Sequence, residues 1–289
     1  MNLCQTTVET ANKEGLYVYG VARAWANCPL GRIGLDDNLV YAVPSGDICA
    51  VVHSGKPEPY QADDPQTVQG WVFAHQRVIQ TAMEAFGTVL PMAFNMIVHE
   101  NLDNGAIENL QAWLAENRDR FTRLLDKLNG KAEYGVQVFW DRKVVAETIV
   151  KSDPELYKIR DEARDKPKGL AYMLQQKLAK ATRAALERQA NRYVEDFYTR
   201  IRQCVDEVQV DTLKKVDPPA VDKQMLLNLS CLMTRGDPAL GAVLEEIQKT
   251  EGISVRFTGP WPPYSFVGGG RMKDLQIGNN NGTGTAPGT

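Results

Sequence analysis

The chain is poor in the residues that carry most catalytic and metal chemistry. Only three histidines occur in 289 residues, His53, His75 and His99, and no two form an H-x-x-x-H pair. The five cysteines, Cys4, Cys28, Cys49, Cys204 and Cys231, are odd in number and far apart, with no C-x-x-C spacing. A disulfide framework and a structural zinc site are therefore not expected. Cys49 and Cys231 sit in apolar runs, where a reduced thiol packs as a small hydrophobe. Long hydrophobic runs are missing too. The longest charge-free apolar stretch, Ala85 to Val98, contains Gly87, Pro91 and Asn95 and falls short of the roughly 20 residues that cross a bilayer as a helix. The opening Met1 to Gln5 has neither a basic nor an apolar signal region, so a cytoplasmic protein without a membrane partner is expected.

Phosphate and nucleophile motifs are also lacking. There is no G-x-x-x-x-G-K-S/T loop and no G-x-S-x-G elbow. Gly282-Thr283-Gly284 has Pro287 where a dinucleotide loop needs its third glycine. The paired carboxylates Asp36-Asp37 and Asp63-Asp64 read as solvated loop residues, and Ser45 as a turn residue. His75 falls on the apolar stripe of a helix and is expected to be a hydrogen-bonded core histidine. No catalytic, cofactor-binding or metal-binding residues are assigned, so the sequence is not read as an enzyme.

What is present is an ordinary globular composition, 43% hydrophobic and 24% charged, in a chain long enough for two modest domains. A net charge of −3 argues against a dedicated nucleic-acid binder. The charge is uneven: residues 1–110 carry 5 basic and 12 acidic side chains, whereas residues 151–215 carry 15 basic and 11 acidic.

The pattern predicts an α+β protein of two domains. In the first, residues 15–130, strands are expected at Gly15–Ala22, Leu39–Val43 and Ile48–Val52, the latter two joined by a turn at Pro44-Ser45-Gly46-Asp47. A helix follows over Thr67–Phe86, ended by Gly87. A strand is expected over Val89–Val98 and one helix over Asn104–Leu128. The second domain, residues 131–258, opens on a strand at Tyr134–Trp140 with Val136, Val138 and Trp140 on one face. No Gly or Pro interrupts Leu170 to Asp217, which predicts a helix of about 35–40 residues, roughly 55 Å long. Strands at Val208–Val216 and Met225–Met233, a helix at Pro238–Thr250 and a strand at Ile253–Phe257 complete a βαββαβ, ferredoxin-like order. The Gly/Asn/Thr-rich tail, 268–289, is expected to be disordered.

That fold raises one alternative function, an RNA-binding protein stacking bases on Phe139 and Trp140. The RRM signature is absent from both central strands, and Glu187, Glu195 and Asp196 interleave with the basic residues of the long helix. A solvated helix face explains those charges. RNA binding is kept as the runner-up.

One segment, residues 259–267, is not bland. Gly259-Pro260-Trp261-Pro262-Pro263-Tyr264-Ser265-Phe266 places three prolines in four positions, which stiffens the chain and presents its aromatics at low entropic cost. The segment is expected to pack back on the N-terminal domain, with Trp261 buried there as a clamp.

These residues resemble the C-terminal hallmark of the gas vesicle protein F/L family (GvpF/GvpL). Leu16-Tyr17-Val18-Tyr19-Gly20-Val21 is similar to its opening strand. His75 with Val78, followed by Val89-Leu90-Pro91, resembles its central helix-to-strand passage. Glu133 to Val138 and Gly169 to Leu174 resemble the entry strand and long helix of its second half. The resemblance runs over about residues 15–267. Two departures stand out: Met92-Ala93-Phe94-Asn95 replaces an Arg-Phe-Gly run after Leu-Pro, and Leu170 replaces an arginine. The resemblance implies a non-enzymatic accessory component of gas vesicles, associated with the vesicle in the cytoplasm. Its implied partners are the hydrophobic shell protein (GvpA) and other accessory proteins, with no nucleic acid and no cofactor.

Overall fold

A computed structural model describes residues 14–24, 29–214 and 223–268. Cys4, Cys28, the Asp217-Pro218-Pro219 turn and the tail expected to be disordered beyond Gly268 lie outside the described residues. The fold is mixed α+β with antiparallel sheets, and its contacts divide into two compact units. Among the described residues, one comprises those up to Gly130 together with those from Pro262 to Gly268; the other lies within Lys131–Trp261.

The first unit is built on a central strand. β1 (Gly15–Arg23) is buried from Gly15 to Ala22 because neighbours cover both of its edges and both faces. After β2 (Gly31–Arg32) and a 3-10 turn at Leu35–Asp37, the hairpin β3 (Leu39–Ser45) and β4 (Ile48–Gly55) turns at Gly46. α1 (Pro65–Phe86) begins at Asp64, whose carboxylate accepts from the backbone N–H groups of Gln66 and Thr67, and stops at Gly87, φ 80°. That is the cap chemistry a helix needs at each end. The strand expected over Val89–Val98 is two short strands, β5 (Val89–Pro91) and β6 (Ile97–His99), both pairing with β1. The break is at Asn95, φ 67°, a left-handed conformation that no strand accommodates. The helix expected over Asn104–Leu128 is likewise two, α2 (Ala106–Glu116) and α3 (Arg118–Leu128). Here Asn117 leaves helical geometry, and its backbone N–H and side-chain amide both donate to the Trp113 carbonyl, at 3.1 and 2.9 Å, closing α2 before α3 begins. The sheet order is β2-β3-β4-β1-β5, with β6 also on β1.

The second unit begins with β7 (Lys131–Asp141), whose alternate residues from Ala132 to Trp140 are buried. α4 (Arg142–Ser152) and α5 (Pro154–Glu162) each start at an aspartate cap, Asp141 and Asp153. α6 (Lys168–Gln203) runs for 36 residues. β8 (Glu207–Val210) is shorter than expected. β9 (Lys223–Thr234), α7 (Ala239–Gln248) and β10 (Ile253–Trp261) follow. The strands lie in the order β10-β7-β9-β8, every neighbouring pair antiparallel. Phe197, Ile201 and Leu186 of α6 and Leu240, Leu244 and Ile247 of α7 pack on Val136, Val138 and Trp140. Only Ala185, Leu186, Phe197 and Ile201 of α6 are fully buried, so the N-terminal half of the helix is largely exposed.

The C-terminal boundary differs from the expected one. β10 does not end at Phe257; it pairs through to Trp261, opposite Glu133, across a register shift after Thr258. The motif 259–267 is therefore shared: Gly259, Pro260 and Trp261 finish a strand of the second unit, and Pro262 onward belongs to the first.

Candidate functional site

The buried polar chemistry of the protein is concentrated around β1. Tyr17 and Tyr19 are two residues apart, so both point to the face covered by α1, and both are almost fully buried. Two buried hydroxyls need partners, and two histidines provide them. Tyr17 Oη lies 3.0 Å from His75 Nδ1, and Tyr19 Oη lies 2.8 Å from His53 Nδ1. His75 Nε2 is 3.2 Å from the Met92 carbonyl. A carbonyl only accepts, so Nε2 carries the proton and Nδ1 accepts from Tyr17. His53 Nε2 lies 3.1 Å from Tyr60 Oη, and the Leu35 backbone N–H donates to Tyr19 Oη at 2.9 Å.

The electrostatics follow from burial. Exclusion of water holds both imidazoles neutral, lowering His53 and His75 from 6.5 to about 4. It also pushes the Tyr17 and Tyr19 phenols far above their ordinary value. At neutral pH every member is therefore uncharged. The cluster holds protons in fixed hydrogen bonds rather than moving them, which makes it a structural network. His75 is thus a satisfied core histidine.

Asn95 closes this network from outside the sheet. Its side chain accepts from Tyr60 N at 2.9 Å and donates to Tyr60 O at 3.2 Å, while its own N–H donates to Tyr17 Oη at 3.1 Å. Asparagine tolerates the left-handed backbone better than most residues. A neighbouring cleft of about 510 Å³ opens over Tyr60, Trp71, Asp36 and Asn38. Asp36, expected to be simply solvated, accepts from Trp71 Nε1 at 2.7 Å and has φ 49°.

The Pro-rich motif reaches the same unit. α8 (Tyr264–Val267) packs against β5, the strand immediately before Met92. Tyr264 is close enough to be among the groups raising the Tyr17 pKa, well behind burial. Pro262, Pro263, Phe266 and Val267 are buried. Trp261 is not: it is 47% exposed. The expected burial of Trp261 is corrected for a physical reason. β10 keeps the residue in the sheet beside Glu133, and only after it does the chain leave to fill the first unit.

Gly259 shows why the motif starts as it does. Its φ is +124°, and a Cβ there would sit 2.9 Å from the Glu133 carbonyl oxygen and 2.9 Å from Tyr134 Cδ1. Backbone cannot give way as a flexible side-chain tip can. Gly259→Ala is expected to destabilise the second unit by about 2–3 kcal/mol, from left-hand strain and close approach together. Urea unfolding followed by circular dichroism measures this, and a change under about 0.5 kcal/mol would refute it.

Phe139 and Trp140, the expected base-stacking pair, point to opposite faces of β7, and Trp140 is buried against the helices. They do not form one platform. Among the described residues no group of three His, Cys, Asp or Glu side chains could hold a metal ion, and no helix is long and apolar enough to cross a membrane. Cys49 and Cys231 are buried free thiols, pushed up by burial to about 11 and about 12.

The chain matches known proteins over most of its length. The family described as gas vesicle synthesis protein GvpL/GvpF matches residues 15–268. The chain belongs to the GvpL/GvpF family. Gas vesicle protein L of Haloferax mediterranei is 32% identical over 242 residues, covering 81% of this chain and 72% of the relative. Gas vesicle protein L1 of Halobacterium salinarum is 30% identical over 273 residues, covering 89% and 94%. In fold, the chain is similar to the crystal structure of the gas vesicle protein GvpF from Anabaena, with a TM-score of 0.66 at 22% identity, covering 89% of this chain and all of that one. The GvpL/GvpF match takes in every segment on which the sequence resemblance rests, from Leu16 to Phe266.

The sequence reading missed Tyr17, Tyr19, His53, Tyr60 and Asn95 as a network. One signal was available: tyrosines spaced by two in a strand buried on both faces imply buried hydroxyls, and the nearest neutral acceptors in composition are histidines.

Proposed function

We propose that this protein is a non-enzymatic accessory protein of gas vesicle formation, acting at the vesicle in the cytoplasm and binding the small hydrophobic shell protein (GvpA) and other accessory proteins. The observation that carries the reading is the GvpL/GvpF family match across both units, residues 15–268. We read the second unit as a ferredoxin-like platform, supported by its strand order β10-β7-β9-β8 with α6 and α7 on one face.

The physical task is to cover apolar surface. Unassembled shell subunits present large apolar patches, which aggregate unless shielded. Leu170, Tyr172 and Met173 project from the first turns of α6 and are exposed. Leu170 and Met173, one turn apart on the same face (i, i+3), supply an exposed apolar contact for reversible binding.

The test is co-expression of the full chain with the shell protein, followed by affinity capture and light scattering. The wild type should retain the shell protein in solution. Leu170→Asp with Met173→Asp should reduce capture by about tenfold while leaving the melting temperature unchanged, since both residues lie outside the core. Absence of capture by the wild type would overturn the reading.

A further inference from the structure

We propose that the cleft between α4, α5 and α6 binds an acidic amphipathic helix of a partner protein. The inference goes beyond shell-protein binding, because it assigns a second surface that selects its partner by charge as well as by apolar area.

The cleft has a volume of about 520 Å³. Ala146 and Val150 of α4 form one wall, and Leu178, Ala179 and Leu186 of α6 the other. The helical residues share one face on each side, four apart on α4 and at 3.6-residue spacing on α6. Ala146 and Ala179 are small, so the lining forms an open apolar groove along the packed α4 and α6, on which a partner helix can lie. Beneath them Val150, Leu156 and Ala185 form only a small satellite core. A second, separate pocket of about 560 Å³ adjoins it, sharing Arg142, Arg183 and Leu186 and lined further by Trp140, Glu187, Ala190 and Gln224. Along α6, the stretch from Gln175 to Ala190 is roughly 22 Å, the length of a four-turn helix.

Charge names the occupant. Three arginines, Arg142, Arg160 and Arg183, border the first part of the cleft against one acid, Glu147. Arg160 lies over the Tyr157 ring at 4.8 Å and Arg142 over the Trp140 ring at 6.0 Å. Neither contact neutralises the cation. Arg183 pairs with Glu187 at 3.4 Å, but both partners are well exposed, so the pair is weak and exchangeable. An apolar floor rimmed by arginine fits a helix with a leucine stripe flanked by glutamates.

The experiment uses the full chain and a fluorescent 18-residue helical peptide with leucines at i, i+3, i+4 and i+7 and flanking glutamates. A second peptide carries lysines in place of the glutamates. Anisotropy should show the acidic peptide binding at least about tenfold tighter than the basic one, with affinity falling as salt rises. Arg142→Glu with Arg183→Glu should reverse that preference, and Leu178→Asp should weaken the acidic peptide about tenfold. Equal binding of both peptides, or binding of neither, overturns the proposal. So does a single-stranded RNA that binds as tightly and is indifferent to Leu178→Asp, because the arginines would then form a plain anion surface. Self-association of the chain that excludes the peptide and is lost in the double arginine variant overturns it in favour of a second copy. None of these readouts involves the shell protein, so failure here leaves the shell-binding test to stand alone.

Discussion

Lowering the pH from about 6.5 to about 4 is expected to strip the first unit of much of its stability. His53 and His75 are 1% and 3% exposed, and burial lowers each from 6.5 to about 4 in the folded state. The unfolded chain therefore binds more protons than the folded chain throughout that window, so stability rises with pH across it. The contribution is fully present above about pH 6.5, declines as pH falls, and is exhausted below about pH 4. A gap of this size corresponds to roughly 3 kcal/mol for each imidazole, against a total of about 5–15 kcal/mol for a typical domain. The two histidines share neighbours, so the joint loss will not be a simple sum. The Asp47 and Asp64 carboxyls, held below their ordinary value by Arg118 and by the Thr67 hydroxyl with the first α1 N–H groups respectively, act at lower pH. Urea unfolding between pH 7.5 and 4.5 should show the midpoint falling steeply below pH 6.5. His75→Gln removes one titrating group while keeping an amide to hydrogen-bond, and should flatten the slope by up to one proton. An unchanged slope in that variant would show that His75 is not held neutral in the folded state.

Much of the fold could be read from periodicity, because burial imposes it. The alternation in Lys131–Asp141 is a strand with one face on helices, and the unbroken run after Gly169 is the 36-residue α6. What periodicity could not supply was interruption. The apolar stripe from Ile107 to Leu128 continues through Asn117, yet the helix does not, because Asn117 leaves helical geometry and its amide caps the Trp113 carbonyl at the end of α2. Likewise Val89 to Val98 is apolar enough for one strand, and both halves lie antiparallel on β1, but their registers differ by three residues (Leu90 opposite Val21, Val98 opposite Leu16), so the chain between them bulges out in a turn. That turn depends on a single left-handed residue, Asn95.

The site was less legible than the fold. His75 could be placed in the core from its position on the α1 stripe, but its partners lie 58 residues away at Tyr17 and 17 residues away at Met92. Nothing local in the sequence states such pairings. The Pro-rich motif was visible as a stiff aromatic segment, while the division of labour within it was not. Which aromatic is buried depends on where β10 stops pairing, and that is decided by the tertiary register with β7 rather than by composition.

That division leads to an expected difference between two aromatic substitutions. Phe266 is 5% exposed within α8, whereas Trp261 is 47% exposed at the end of β10. Truncating a buried phenylalanine costs about 3–5 kcal/mol through lost burial and the cavity left behind. A half-exposed side chain at a strand end loses about 1 kcal/mol or less. Phe266→Ala should therefore lower the melting temperature by on the order of 10 °C, and Trp261→Ala by only a few degrees. Phe266→Ala should also open the chain after Pro263 to proteases, because α8 is a single short turn of four residues. Its Phe266 and Val267 side chains are what place it against β5. If Trp261→Ala proved the more damaging, the anchor would lie in the strand end and not in α8. If Trp261→Ala left stability intact but reduced capture of the shell protein, its exposed ring would be a partner contact, as its position on the surface of β10 permits.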